Sequence, residues 1–436
     1  MKILVISNSP WDDSNSFGST FSNFFQGVDK VNIASVYLSG GKPKTEACSR
    51  FFQISEKALA RSILKRKNGA GEEVFISEEE TSPSTKKGSF IINFARKKRW
   101  TLFFWMRELL WSLGKWKTKG LDEFIDSFKP DLIVLPTYSY SYINKLALYI
   151  QKKWKLPMVS YVSDDEYTLR QFSLSPLYWI NRIYQRKWVK RGIENSEILY
   201  TISKIQKETY EKCFKTPCKV LTKSDDFTGE PNLKDSYGKP FRIIYTGNIG
   251  SNRYKSLSII AKALSELNDK EPIAEMEIYT ATPLTKRMQK ALNVKSASKI
   301  VGKVSSKEVK KLQSEADILV HVEAMDLKNR LLVRQSFSTK LVDYFKCARP
   351  ILAVGPKTVA SLSHLIENDC AMVCSSIEEV KTAIKKAVED KNYLTKLSLK
   401  AYECGAKNHN RNVMQKEFIQ DLEKIYKESN REGFAN

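Results

Sequence analysis

The sequence predicts an α/β protein made of two Rossmann-like, doubly wound parallel-sheet domains facing a cleft. Three observations lead there. Short apolar runs rich in β-branched residues alternate with longer helical patterns. The alternation breaks once, over the polar stretch 222–241, and then restarts. The chain has 436 residues, 42% of them hydrophobic, enough to bury two ordinary cores.

The first half offers five such runs: KILVIS (2–7), VNIASVYL (31–38), DLIVLPT (131–137), MVSYV (158–162) and ILYTIS (198–203). Near-continuous apolar character marks parallel strands buried on both faces. After the first run, SPWDDSNSFGST (9–20) is a loop whose Gly18 and Ser19 lead into a helix from about Thr20, with main-chain N–H groups suited to an anion. Residues 67–89 mix an acidic run with Gly, Ser and Pro and read as a mobile surface loop. Past the linker come FRIIYTG (241–247), MEIYTA (276–281), SKIVG (298–302), DILVHVE (317–323), PILAVG (350–355) and CAMVCSS (370–376). The domains are therefore placed at 1–225 and 226–408, with a last helical segment over 409–436.

Residues 96–119, RKKRWTLFFWMRELLWSLGKWKTK, hold four of the eight tryptophans and eight Lys or Arg against one Glu. On a helix, Leu102, Trp105, Met106, Leu109, Leu110, Leu113 and Trp116 form one apolar stripe that Phe103, Phe104 and Trp111 widen. Such a helix suits the plane of an anionic bilayer, with Trp100, Phe104, Trp105, Leu109 and Trp116 facing the membrane. A core helix with solvated charge at its ends is the alternative. The run YWINRIYQRKWVKRGI (178–193) repeats the aromatic and basic character. No run approaches the roughly 18 apolar residues of a membrane span.

The net charge of +23 calls for an acidic counterpart, and the first 225 residues are the more basic part, with 37 basic against 23 acidic side chains. No nucleic-acid motif accompanies the charge, so no nucleic-acid partner is expected. Seven cysteines in no disulfide or metal-knuckle spacing indicate a reducing compartment. The N-terminus MKILVISNSPW lacks the length and cleavage site of a signal peptide. Three scattered histidines give no zinc motif, and no metal or cofactor is expected. Neither GxGxxG nor GxxxxGK[ST] occurs after a strand, which removes the main support for dinucleotide and P-loop readings.

The second half carries the chemistry. In IIYTGNIGSNRYKSLSIIAKAL (243–264) a glycine turn precedes Arg253 and Lys255 at a helix entry, two cations suited to a diphosphate. In 316–356 a strand and polar loop lead to Ser338 and Thr339, placed to cap a helix, with Asp343 one turn in, able to accept from vicinal hydroxyls.

The YTGNIG turn, the VGKVSSKEVKKLQSEADILVHVE segment and the STKLVDYFKCARPILAVG segment resemble the nucleotide-sugar half of family 4 glycosyltransferases of GT-B fold, of the kind that builds bacterial polysaccharides or glycolipids. Where that family has a Glu, seven residues and a second Glu, this chain has Gln335 and Asp343. The family's Arg after the strand-ending Gly is Asn248 here, with Arg253 standing in for it. The resemblance implies that Arg253 and Lys255 hold a donor diphosphate and Asp343 the ribose hydroxyls. Gln335 and the main chain of Ser338, Thr339 and Lys340 would meet sugar or phosphates, and Tyr279 and Thr280 the base. In the first domain it matches Gly18, beside Ser19, to the loop approaching the phosphate and Asp164 or Asp165, in SDDEY (163–167), to a group facing the transferred sugar or acceptor. It also implies a last helix, 409–436, returning toward the N-terminal domain.

The expectation is a retaining, metal-independent glycosyltransferase of hexosyltransferase type. It would move a sugar from a nucleotide diphosphate sugar to a lipid-linked or polysaccharide acceptor, peripheral on the cytoplasmic face of the plasma membrane. The competing expectation is a catalytically weak GT-B scaffold or partner subunit of another transferase.

Overall fold

The computed structural model describes residues 1–65, 69–75 and 101–433. The chain divides into two compact units, one formed by 1–221 with 415–436, the other by 222–414.

The first unit runs β1 (Lys2–Ser7), α1 (Ser16–Phe25), β2 (Asn32–Tyr37), β3 (Arg50–Gln53), α2 (Glu56–Lys65), β4 (Glu72–Val74), α3 (Thr101–Leu113), α4 (Lys119–Phe128), β5 (Leu132–Pro136), α5 (Ser141–Trp154), β6 (Met158–Val162), α6 (Pro176–Glu194), β7 (Ile198–Thr201), α7 (Lys204–Glu211) and β8 (Cys218–Val220). Its eight strands lie in the order β4-β3-β2-β1-β5-β6-β7-β8. All pairings are parallel except β3 with β4. β1 is central, paired in register with β2 (Ile3 beside Ile33) and β5 (Ile3 beside Leu132). That position explains its unbroken apolar run, since helices cover both faces.

Local signals set the helix starts. Asn15 caps α1, Thr118 caps α4, and Ser175 caps α6, whose first residue, Pro176, has no N–H to leave unsatisfied. One core gathers Leu4, Ile6, Val36, Phe124, Ile133 and Ile143.

The second unit runs β9 (Phe241–Thr246), α8 (Arg253–Leu267), β10 (Ala274–Tyr279), α9 (Lys286–Leu292), β11 (Ser298–Gly302), α10 (Ser306–Glu315), β12 (Ile318–Val322), α11 (Leu327–Val333), α12 (Lys340–Cys347), β13 (Ile351–Val354), α13 (Ala360–Glu367), β14 (Met372–Cys374), α14 (Ile377–Glu389) and α15 (Lys391–Asn408). Its sheet is wholly parallel in the order β11-β10-β9-β12-β13-β14. Winding reverses between β9 and β12, the switch point where such sheets open a crevice at their carboxyl ends. Ile243, Ile278, Leu257, Ile260, Leu264 and Val320 anchor the core.

The last helix, α16 (Arg411–Gly433), passes from Gln415 onward into the first unit. There Phe418 packs on Phe24, Phe25 and Tyr200 with ring centroids 5.1 to 5.8 Å apart, and Asp421 accepts from Tyr200 Oη at 2.9 Å. Burying a Phe or Leu contributes about 2 kcal/mol, and both Phe418 and Leu422 are buried.

The structure differs from the sequence reading at several elements. β3, β4 and β8, of three or four residues, were not anticipated because each is too short to show a period. Glu72–Val74 forms an edge strand inside the stretch read as a loop; residues 76–89 lie outside the described residues. α1 starts at Ser16, four residues earlier than expected, because Asn15 supplies the cap. The helix expected over 96–119 is described from Thr101 and ends at Leu113, so Trp116 falls off its stripe. Residues 96–100, Trp100 among them, lie outside the described residues.

Candidate active site

In the second unit, four elements bring charge together at the switch point. β9 ends at Thr246 and is followed by Gly247, α8 opens with Arg253, Glu323 follows β12, and Lys340 opens α12. Gly247 has φ +143°, and a Cβ there would lie 2.3 Å from Lys340 Nζ. Only glycine lets the lysine reach this turn. The ammonium donates to Thr246 O at 3.0 Å and lies 5.0 Å from the centroid of the Tyr245 ring.

Arg253 donates from Nε to Glu323 Oε2 at 3.1 Å and pairs through its terminal nitrogen at 3.0 Å. Ser256 Oγ, one turn on, donates to the Glu323 carbonyl at 2.6 Å. His321 Nε2 stands 3.6 Å from Glu323 Oε1.

These neighbours shape one another's protonation. Burial, then Arg253, pushes the Lys340 ammonium down to about 8. Burial, then Lys340 and Arg253, holds His321 well below the usual imidazole range, so it is neutral. Burial raises the Glu323 carboxyl against the pull of Arg253 and Lys340. Two cations thus face one carboxylate of weakened acidity. A diphosphate arriving here would meet an Arg fork and an ammonium in poorly solvated surroundings, where charge–charge attraction is strong.

Of the residues anticipated from sequence, Arg253 and Lys340 belong to this cluster. Lys255 does not; it is exposed beyond Arg253. Asp343 accepts from Lys223 Nζ at 2.6 Å. Asn248 shapes the turn, its Oδ1 accepting from Gly250 N and Thr282 Oγ1. Thr339 sits at the helix entry without a side-chain cap, and the Ser338 N–H donates to Ser361 Oγ at 2.9 Å, so the expected capping pair is not formed. The Tyr279 hydroxyl turns onto Glu277 at 2.9 Å, and Thr280 bonds Thr282 at 3.0 Å. Gln335 is fully buried, which leaves its amide no exposed surface to offer a sugar.

In the first unit, Gly18 and Ser19 do not offer free N–H groups: these donate to Asn15 Oδ1 at 2.8 Å and Asn15 O at 3.0 Å. Gly18 is instead required by packing, since a Cβ there would lie 2.0 Å from the Asp12 carbonyl oxygen. Asp164 is exposed after β6. Its neighbour Asp165 is structural, accepting from Thr168 N at 2.8 Å in a loop that the buried Arg182 ties down through Asp165 O at 2.7 Å. Glu166 accepts from Ser139 Oγ, and burial, then the Asp164 charge, pushes its carboxyl up to about 7. The sequence singles out Asp164 and Asp165, of which Asp165 is buried in its own loop, and the reading passes over Glu166, Glu323 and His321. The signal available was position: each lies at or just beyond the carboxyl end of a strand. Among the described residues no group of three or more His, Cys, Asp or Glu is arranged to hold a metal.

Of the residues expected at a membrane, Leu109 is exposed, as are its helix neighbours Phe103, Met106 and Leu113. Phe104 and Trp105 are half-buried, 6.2 Å from Tyr140 and 5.7 Å from Tyr184 between ring centroids. Trp116 packs edge-on against Tyr149 at 5.5 Å, and Trp111 is buried, stacked on Tyr142 at 4.6 Å. The helix is therefore neither wholly core nor wholly surface. No helix among the described residues is long and apolar enough to cross a membrane.

Residues 240–390 match the family model described as glycosyl transferases group 1. A search of curated proteins gives no match. Among solved structures, the chain is similar to Anabaena HepE in complex with UDP and glucose, at 12% identity and TM-score 0.61 over 97% of this chain and 100% of that one. It is similar to sucrose-phosphate synthase from Thermosynechococcus elongatus at 11% identity and TM-score 0.60 over 98% and 99%. A third is a trehalose-phosphate synthase (UDP-forming) from Burkholderia vietnamiensis, at 9% identity and TM-score 0.58 over 97% and 100%. These likenesses agree with the fold of two Rossmann-like parallel-sheet units. The matched segment contains β9 to β14 and the Arg253–Lys340 cluster.

Proposed function

We propose that the protein is a retaining glycosyltransferase that moves a sugar from a nucleotide diphosphate sugar to a hydroxyl of a lipid-linked or polysaccharide acceptor at the inner membrane face. The observation that carries the donor half is the Arg253–Lys340 cation pair at the switch point, inside the matched segment. As the bond to the anomeric carbon breaks, negative charge grows on the leaving diphosphate. Preset cations stabilise that charge more than they stabilise the bound donor. Retention follows from the resemblance to family 4.

The membrane half is supported by the exposed Phe103, Met106, Leu109 and Leu113 on α3 and Leu177, Ile180 and Ile183 on α6, two helices joined by the Trp105–Tyr184 ring contact. Exposed apolar side chains on helices that also carry basic ones suit an anionic bilayer.

The test is calorimetric titration of the purified protein with uridine, guanosine, adenosine and thymidine diphosphates, followed by transfer assays with the sugar nucleotides of whichever base binds. Selective binding, lost in Lys340→Ala, is expected. A folded protein that binds none of them overturns the reading. The buried Gln335 favours the second reading, a weakly active scaffold; nucleotide binding without transfer or donor hydrolysis would select it.

A further inference from the structure

A second recess lies in the first unit, apart from both constellations above. It is a cavity of about 840 Å³ at the carboxyl ends of β2 and β3, three strands from the Asp164 loop in sheet order. Its size is that of a small-molecule site, and the carboxyl edge of a parallel sheet is where such sites form.

Lys42, Lys57 and Arg61 line it against a single acid, Glu72. Lys57 and Arg61 stand at i and i+4 on α2, where like charges repel. Neither has an ion-pair partner among the described residues, and the nearby Glu56 carboxylate is taken by Arg107. The walls are set in advance. Tyr37 Oη and Gln53 Nε2 each donate to the Gly41 carbonyl at 3.0 Å, and Ser55 Oγ accepts from Ala58 N at 3.2 Å at the entry of α2. The positive end of that helix adds to the field of the three cations.

The surroundings are apolar. Ile63 and Leu64, on the same helix, are exposed, and α2 packs on α3, which exposes Leu109 and Leu113. Cations inside and greasy surface outside describe an amphiphile with a phosphate head.

We propose that this cavity binds the phosphate ester of a lipid-linked acceptor, the phosphate held by Lys42, Lys57 and Arg61 and the hydrocarbon lying along α2 and α3. That the occupant is the acceptor rests on the transferase reading; that it is a lipid phosphate does not.

The test uses full-length protein with phosphatidylcholine vesicles containing either phosphatidic acid or phosphatidylserine, matched in surface charge. Lys57→Ala/Arg61→Ala is compared with Lys187→Ala/Lys190→Ala, an equal charge loss on α6. Tighter binding to phosphatidic acid is expected, falling at least tenfold in the α2 variant and kept in the α6 variant. Equal binding to both vesicles, or a preference that survives Lys57→Ala/Arg61→Ala, overturns the proposal. Glycerol 3-phosphate binding as tightly as the vesicles would overturn the lipid assignment in favour of a free phosphate ester. Uridine diphosphate titration of the same variants separates the two readings: a phosphatidic acid preference in a protein that binds no nucleotide leaves the cavity and removes the transferase.

Discussion

Lys340 donates its ammonium to the Thr246 carbonyl at 3.0 Å, joining the first turn of α12 to the end of β9 across the point where the sheet reverses. The contact needs Gly247 and is flanked by the Arg253–Glu323 pair, so β9 and α8 share one electrostatic environment with β12 and α12, which lie much further along the chain.

Lys340 and Lys255 therefore predict opposite outcomes. Lys340→Ala should lower kcat/KM for the sugar nucleotide by about 10²-fold or more, the scale seen when one preset electrostatic contact to a transition state is lost, with the melting temperature little changed. Lys255→Ala should act within about threefold, because the side chain lies outside the cluster. The reverse ranking in purified, folded variants would return Lys255 to the donor site.

The same lysine sets a pH dependence. Held near 8 by burial and Arg253, it loses its proton well below the ordinary lysine range. Anion binding favours the protonated form, so nucleoside diphosphate affinity should be flat from pH 7 to 7.5 and decline above about 8, by at most about tenfold per pH unit. Lys340→Arg, which keeps its charge, should flatten whatever binding remains. Titration calorimetry across pH 6.5–9.5 decides; a wild-type affinity that rises through this window would contradict the assignment.

Glu166 carries a separate, thermodynamic signature. Its carboxyl is raised to about 7 in the fold from an ordinary 4.5, so the folded state binds the proton more tightly than the unfolded chain. Its contribution to stability is fully present below about pH 4.5 and is lost as pH rises through 7. Glu166→Gln, fixed in the uncharged form, should gain stability relative to wild type between pH 5 and 8. Urea midpoints at the two pH values measure this; an unchanged difference would mean that the carboxyl titrates normally.

Much of this was legible in the sequence, and the gaps have physical causes. Nine of the eleven anticipated strands lie inside their sheets, where a strand buried on both faces must be apolar along its length. The three not anticipated are short, and two lie at sheet edges, where one side meets solvent. Arg253 was visible because a cation beside a helix entry is a local pattern. Its partner Glu323 was not, because the pairing spans 70 residues and depends on which strand becomes the neighbour of β9. Gly18 misled for a related reason: a glycine that admits the Asp12 main chain looks, in one dimension, like one that admits a phosphate.

The aromatic helix α3 yields the last prediction, because its two faces separate membrane contact from packing. Met106, Leu109 and Leu113 are each more than half exposed, so changing all three to Ser removes apolar surface already in water and should leave folding nearly unaltered. If that face meets the bilayer, the variant should leave anionic vesicles in a sedimentation assay, losing about 1.5–3 kcal/mol for each large side chain that was buried in lipid. Trp111 is 2% exposed and stacked on Tyr142. Trp111→Ala should instead destabilise the first unit by about 3–5 kcal/mol through the cavity it leaves. Vesicle binding retained by the triple Ser variant would show that the exposed stripe faces something other than lipid.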